Sequence, residues 1–223
     1  IVSENRCTKI PKHTNHELAA MFGCAITTAF GVVENNANLR MGESVVVYGA
    51  GGIGLNIIQA SSLKSAYPII AVDLFDQRLE LASKMGATHT INASNNDPKK
   101  EIIKILNKDN LDCFIDNTGI PNVIELGYEI INSNGRVILV GVPRLGNNIN
   151  IYSLQLHFGK KLIGSQGGEA SPEADIYRYL KLFDNNLFNI DSLISSYYKL
   201  EDINKAIDSM ISGETAGRVM IRL

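Results

Sequence analysis

Four glycines lie within six residues, at positions 49, 51, 52 and 54, between an apolar run and a stretch with helical periodicity. This order predicts a strand, a tight turn and a helix whose first N–H groups have no partner inside the helix. Such a turn can bind phosphate, because bare backbone lets the anion come close and the helix dipole attracts it. In this setting the pattern G-x-G-x-x-G indicates a dinucleotide-binding unit.

Each glycine of the motif has an expected physical role. Gly49 lets the chain turn sharply out of the strand, and Gly51 leaves room for a pyrophosphate against the backbone. Gly54 lets the helix pack closely on the sheet.

An acidic residue supports the same interpretation. The buried-strand run 68–73 ends in Asp73, at about the 20-residue spacing from the glycine turn where an acid binds the ribose of NAD. Asp73 is expected to accept hydrogen bonds from the adenosine 2′ and 3′ hydroxyls and to repel a 2′-phosphate, which favours NAD over NADP. The alternative is a solvated acid at a strand end, and the position and context favour the binding role.

The elements around these residues alternate between strands and helices, which predicts an α/β fold with a parallel sheet and helices on both faces. The six predicted strands lie at 45–48, 68–73, 89–91, 113–116, 136–140 and 162–165. The predicted helices between them lie at 55–63, 77–85, 98–107 and 121–131. The chain therefore predicts a doubly wound Rossmann sheet of six strands.

The two ends of the chain do not continue this alternation. A helix interrupted at Gly23 and Cys24 precedes the first strand, while helices at 172–183 and 201–212 and a strand Arg218 to Leu223 follow the last one. We expect residues 1–25 and 167–223 to belong to a second domain, and residues 26–166 to form the nucleotide-binding domain.

Composition limits the partners. The chain has 223 residues, a net charge of −2 and 45% apolar residues, which gives no reason to expect nucleic acid or an anionic membrane as a partner. We find no apolar run that approaches the roughly 18 residues of a membrane span. Three cysteines in no recognisable pattern suit a reducing cytoplasm.

Several motifs together resemble the medium-chain, zinc-dependent alcohol dehydrogenases. They keep the family's order over the whole chain, and they lie at 22–31, 49–54, 72–78, 86–88, 140–143 and 217–219. The resemblance is to the C-terminal part of such an enzyme. It implies that the two ends are remnants of a GroES-like catalytic domain, and we expect most of that domain to be missing from this sequence, which begins with Ile1 rather than Met.

The resemblance implies roles for individual residues. Cys24, in the pattern G-C-x-x-x-T, matches a ligand of the catalytic zinc, and Thr28 matches a threonine near the nicotinamide. The other matches concern NAD: Gly52, Ile53 and Arg218 at the pyrophosphate, Asp73 and Arg78 around the adenosine ribose, and Asn117, Thr118, Val140 and Val142 at the rim of the nicotinamide-ribose site.

A zinc site is not complete in these residues. A catalytic zinc needs about three protein ligands and an open position, and the resemblance places the other ligands in the missing segment. From the residues alone, a lone cysteine between apolar helical residues such as Cys24 is more often a small buried hydrophobe than a ligand, and the resemblance reverses this preference. Each of the four histidines is better explained as a capping, surface or packing residue: His13, His16, His89 and His157. We therefore expect no stable metal in this chain.

For an intact enzyme, the resemblance implies hydride transfer from an alcohol, polyol or sugar to NAD, with zinc lowering the pKa of the alcohol. We expect this chain to bind NAD and to be inactive or nearly so by itself. The alternative is a non-catalytic NAD-binding module with a regulatory or assembly role.

Self-association is a further expectation. In relatives the outer strand of the coenzyme domain pairs with its copy in a homodimer, which covers an exposed sheet edge. Residues 148–151 alternate polar and apolar side chains where that strand should lie. An ordinary loop is the alternative.

Overall fold

The structure, a computed structural model, describes residues 2–107, 110–213 and 215–222. Its main sheet has six parallel strands in the order β3-β2-β1-β4-β5-β6, so the predicted Rossmann sheet is confirmed. The strands are β1 Val45–Tyr48, β2 Ile69–Asp73, β3 His89–Asn92, β4 Leu111–Asp116, β5 Ile131–Leu139 and β6 Lys161–Gly164.

Helices connect the strands and cover both faces of the sheet. The strand residues are mostly apolar, because a parallel sheet is buried on both faces. The helices are α1 His16–Phe22, α2 Ala25–Gly31, α3 Gly52–Leu63, α4 Asp76–Lys84, α5 Pro98–Leu106, α6 Pro121–Ile130, α7 Pro172–Asp184 and α8 Ile203–Ile211. A π-helical turn, Val32–Asn36, continues α2.

Several details differ from the sequence prediction, among them the starts of two strands, since β4 begins at Leu111 rather than Cys113 and β5 at Ile131 rather than Arg136. Helix α3 begins at Gly52, inside the glycine motif, rather than at Leu55. A strand that was not predicted, β7 Ile194–Lys199, pairs in parallel with β8 Arg218–Arg222, and Leu223 of the predicted last strand lies outside the described residues. Residues 148–151 form no strand in this single chain.

The segment His16–Asn36 corrects the expectation about membrane spans. It has 21 residues and contains an 18-residue window with a mean hydropathy of 1.4, so by length and composition alone it could cross a membrane. The helix is this long because it continues past the break at Gly23 and Cys24. In the structure, 61% of its apolar window is buried inside the protein, as expected for a core helix.

Alternate side chains of the strands contribute to two apolar clusters, one on each face of the sheet. Val45 and Val47 of β1 belong to the first cluster, and Val46 belongs to the second. The first cluster also includes Phe22 from α1 and Tyr179 from α7. The N-terminal and C-terminal segments therefore pack on the same face of the sheet as α3.

An ion pair closes the amino-terminal edge of the sheet. The Arg136 guanidinium on β5 pairs with Glu43, and their side chains are 12% and 23% exposed. Arg136 also donates to the carbonyl oxygens of Ala37 and Asp112. Burial raises the pKa of the Glu43 carboxyl, whereas the hydrogen bond and positive charge of Arg136 lower it. The lowering effects are larger in sum, so the net shift of the pKa is downward.

We predict that Glu43→Gln lowers the free energy of unfolding by about 2 kcal/mol at pH 7, between the values for buried and exposed pairs. A carboxylate with a lowered native pKa stabilises the fold above its unfolded pKa of about 4.3, and this contribution disappears as the pH falls through the native pKa. Urea unfolding from pH 7 downward should therefore show the deficit shrinking below about pH 4.3. The exposed Glu80→Gln is the control; a Glu43 deficit independent of pH would contradict the prediction.

Candidate dinucleotide-binding site

A cleft of about 480 Å³ lies at the carboxyl ends of β1, β2 and β4 and at the N-terminus of α3. This is where an open parallel sheet binds its ligand. The cleft brings together ten of the residues singled out in the sequence: Gly49, Gly51, Gly52, Ile53, Gly54, Asp73, Arg78, Asn117, Thr118 and Arg218.

The glycine turn has the conformation that its sequence predicts. Gly49 has a φ of +92°, a conformation that favours glycine. A Cβ at Gly51 would meet open space, whereas a Cβ at Gly54 would overlap the carbonyl oxygen of Gly49. The close approach at Gly54 is thus to the turn itself rather than to the sheet in general. The N–H groups at the start of α3, including those of Gly52 and Ile53, precede the first intrahelical bonds and can bind an anion.

Asp73 joins the glycine turn to the end of β2. Its side chain is 5% exposed, and its Oδ2 accepts a hydrogen bond of 2.7 Å from the N–H of Ala50. Its Oδ1 accepts from the N–H groups of Leu74 at 2.8 Å and Phe75 at 3.1 Å. Arg78 Nη1 lies 3.7 Å from the same oxygen. The carboxylate therefore has a fixed orientation at the edge of the cleft.

Arg218 lies against the N-terminus of α3. A Cβ at Gly52 would overlap its Nε atom, so the glycine leaves room for the guanidinium in this position. This Nε atom is buried and lacks a hydrogen-bond partner in the described part of the chain. Burial lowers the pKa of Arg218, and the nearby Cys24 sulfur opposes that shift. An unpaired buried donor beside a helix N-terminus fits an anionic ligand such as a pyrophosphate.

A second turn, after β4, forms the opposite wall of the cleft. The fully buried Asp116 accepts hydrogen bonds from Thr118 N at 2.9 Å, Thr118 Oγ1 at 2.6 Å and Gly119 N at 2.9 Å. Burial raises the pKa of Asp116 and these bonds oppose the shift, which remains upward. The turn places Asn117 and Thr118 so close to Gly49 that a Cβ there would lie 3.3 Å and 3.2 Å from them.

Four predicted site residues do not line this cleft. Cys24 is exposed, and its Sγ lies 4.0 Å from Thr28 Oγ1 on α2. Val140 and Val142 follow the end of β5; Val140 packs against the first apolar cluster, whereas Val142 is 89% exposed. The segment that carries Val140 and Val142 nevertheless adjoins the cleft, because the N–H of Gly141 donates to the Asp116 carbonyl oxygen and a Cβ at Gly141 would overlap the backbone of Asn117 and Thr118.

Zinc does not fit the described residues on their own. Within residues 2–107, 110–213 and 215–222, no group of three or more His, Cys, Asp or Glu side chains could hold a metal ion. Cys24 is one potential ligand where a catalytic zinc needs about three. A zinc centre would therefore need ligands beyond those described.

Sequence reasoning missed five residues that also line the cleft: Tyr48, Leu74, Phe75, Ile120 and Val123. Three of them adjoin motif residues in the chain, since Tyr48 precedes Gly49 and the pair at 74 and 75 follows Asp73. Because ligands bind at the carboxyl ends of parallel strands, the residues flanking each motif at a strand end were the available signal.

The fold and the cleft define a Rossmann dinucleotide-binding domain. Residues 52–185 match the family of zinc-binding dehydrogenases, which is more than half of the chain. The chain therefore belongs to the zinc-binding dehydrogenase family, and the resemblance to alcohol dehydrogenases is confirmed.

Known proteins similar to this chain support the assignment. An S-(hydroxymethyl)glutathione dehydrogenase from Synechocystis sp. is 30% identical over 222 residues, which are 99% of this chain and 60% of that protein. An alcohol dehydrogenase zinc-binding domain protein from Burkholderia ambifaria has a TM-score of 0.89 at 33% identity over 97% of this chain and 58% of its own. Benzyl alcohol dehydrogenase from Acinetobacter calcoaceticus has a TM-score of 0.89 at 31% identity, covering 96% and 59%. The chain thus spans about three fifths of the length of these relatives.

The geometry of the glycine turn predicts stability changes of different size for two alanine substitutions. Gly54→Ala should lower the free energy of unfolding by about 1–3 kcal/mol, because its Cβ would collide with the Gly49 backbone. Gly51→Ala should change it by less than about 0.5 kcal/mol, because the position is open and its φ is −74°. Urea unfolding of both variants measures the difference, and equal losses would rule out this account of the turn.

Proposed function

We propose that this chain binds NAD in the cleft and acts as the coenzyme-binding part of an NAD-dependent dehydrogenase that oxidises a small-molecule alcohol. The observation that carries the proposal is the arrangement of two groups across one glycine turn. One is the fixed, buried carboxylate of Asp73, and the other is Arg218 Nε, a buried donor with no partner among the described residues. A dinucleotide presents ribose hydroxyls and a pyrophosphate in that order.

Each group in the cleft has a distinct part in binding. Asp73 accepts a hydrogen bond from an adenosine ribose hydroxyl and disfavours the 2′-phosphate of NADP by charge repulsion. The N–H groups of Gly52 and Ile53 and the Arg218 guanidinium hold the pyrophosphate. Asn117 and Thr118 border the cofactor where it passes the end of β4.

Bound NAD supplies the hydride acceptor, at C4 of its nicotinamide. The chain's own share of the reaction is to bind and orient the cofactor. The relatives are named for benzyl alcohol and S-(hydroxymethyl)glutathione, which supports an alcohol as substrate. We expect little NADH production by this chain alone, because the described residues do not supply a zinc centre.

Arg218→Met should weaken NAD binding about tenfold, since it removes a charged donor to the pyrophosphate while keeping an apolar stem in a half-buried position. Isothermal titration calorimetry with NAD and with adenosine measures the effect. Adenosine has no pyrophosphate, so its affinity should not change. The exposed Arg144→Met is the matched control and should bind NAD as the original chain does.

Two results would contradict the proposal. One is that the unmodified chain binds neither NAD nor ADP-ribose. The other is that it binds NADP as tightly as NAD, because the Asp73 carboxylate should favour NAD by about tenfold or more.

We also propose that the chain forms a homodimer through the edge of the sheet at β6. β6 is an outer strand, and the segment before it exposes large apolar side chains, among them Leu145, fully exposed, and Phe158, 71% exposed. Apolar exposure beside an open sheet edge is typical of an interface.

Light scattering at several concentrations should therefore show a dimer, and Phe158→Ser should shift it towards monomer. Leu187→Ser, which changes another exposed apolar residue in the segment after α7, is the control and should leave the dimer intact. A monomer at every concentration would contradict the proposal.

A further inference from the structure

Phe75 lies where two distant parts of the chain meet beside the cleft. It precedes α4, and the Arg78 guanidinium lies over its ring, with the Cζ atom 4.7 Å from the ring centroid. The same ring touches the buried Gly213, in the turn after α8, so closely that a Cβ at Gly213 would overlap it. One aromatic ring therefore contacts both the adenosine end of the cleft and the C-terminal segment.

The contact with Arg78 restricts a side chain that has many rotamers. Arg78 is 21% exposed, and its Nη1 lies 3.7 Å from the Asp73 carboxylate. At that distance the ion pair alone is weak. A guanidinium stacked on an aromatic face adds a second, directional restraint. Together, the ring and the carboxylate hold the cation at the edge of the cleft.

The contact with Gly213 restrains the segment that leads to Arg218. Gly213 has a φ of +77°, and Gly217, directly before Arg218, has a φ of +89°. A Cβ at Gly217 would overlap the Leu193 carbonyl oxygen. Close contacts thus fix Gly213 and Gly217, and the contact at Gly213, made by the Phe75 ring, is the one that belongs to the cleft.

We propose that Phe75 is a positioning residue for nucleotide binding, which holds Arg78 directly and the segment leading to Arg218 through Gly213. The inference rests on the proposed function, because its ligand is the adenosine diphosphate part of NAD. Phe75 need not touch that ligand; it acts by fixing cationic groups that do.

The test is a double-mutant cycle on the whole chain, with NAD affinity measured by calorimetry on variants whose circular dichroism shows them folded. Phe75→Leu keeps apolar bulk but removes the aromatic face, and it should weaken NAD binding about threefold to tenfold. Combined with Arg78→Met, it should weaken binding by clearly less than the product of the single effects. Leu74→Ala with Arg78→Met is the control cycle, since Leu74 lines the same cleft, and it should be multiplicative.

A pair of substitutions that changes the size of both side chains tests the contact between Phe75 and Gly213. Gly213→Ala should lower the melting temperature for two reasons: the added methyl group collides with the ring, and a φ of +77° disfavours alanine. Only the collision depends on Phe75. Adding Phe75→Leu should raise it again, because leucine leaves more space; a double variant no more stable than Gly213→Ala would overturn the link to the C-terminal segment.

The outcomes separate the two proposals. If the unmodified chain binds no NAD, the proposed function and the role of Phe75 both fail. If it binds NAD and the cycle with Arg78 is multiplicative, only the role of Phe75 fails.

Discussion

The Asp73 carboxylate is the interaction on which the cleft depends. It accepts hydrogen bonds from three backbone N–H groups, one in the glycine turn and two in the loop that follows β2. An ionised carboxylate offers about four acceptor positions, so about one remains for a ligand. The acid that would select the cofactor therefore also builds the turn that would hold its phosphates, and cofactor choice and turn geometry cannot be altered independently at this residue.

The sheet and the motif residues could be predicted from the sequence, because short runs of apolar residues and the glycines and acids that follow them are local patterns. The strands are buried on both faces, so they read as apolar runs, and Gly49 and Asp73 occupy the strand ends where the pattern requires them. The position of Arg218 against Gly52 could not be predicted in this way, because the two residues are far apart in the chain and their contact leaves no periodic signal. The contact between Phe75 and Gly213 could not be predicted from the sequence for the same reason.

An aromatic cluster connects the ends of the chain to the sheet. The Phe30 ring on α2 lies 4.8 Å from Tyr179 on α7 and 5.1 Å from Phe188, measured between centroids. Such pairs contribute about 0.5–1.5 kcal/mol beyond their burial. Because Cys24 and Thr28 lie at the start of α2, their position relative to the cleft depends on this packing and not only on the Rossmann sheet.

Some residues at the two ends of the candidate site differ in exposure. Asp73 and Gly54 at the adenosine and pyrophosphate end are buried, whereas Cys24, matched to a zinc ligand, and Val142, matched to the rim of the nicotinamide-ribose site, are exposed. Binding a polyanion needs donors and charge, which this chain provides. Hydride transfer also requires the nicotinamide and the alcohol to be oriented in a site that excludes water. Because Cys24 and Val142 are exposed, a site that excludes water around them would need a further element to cover them.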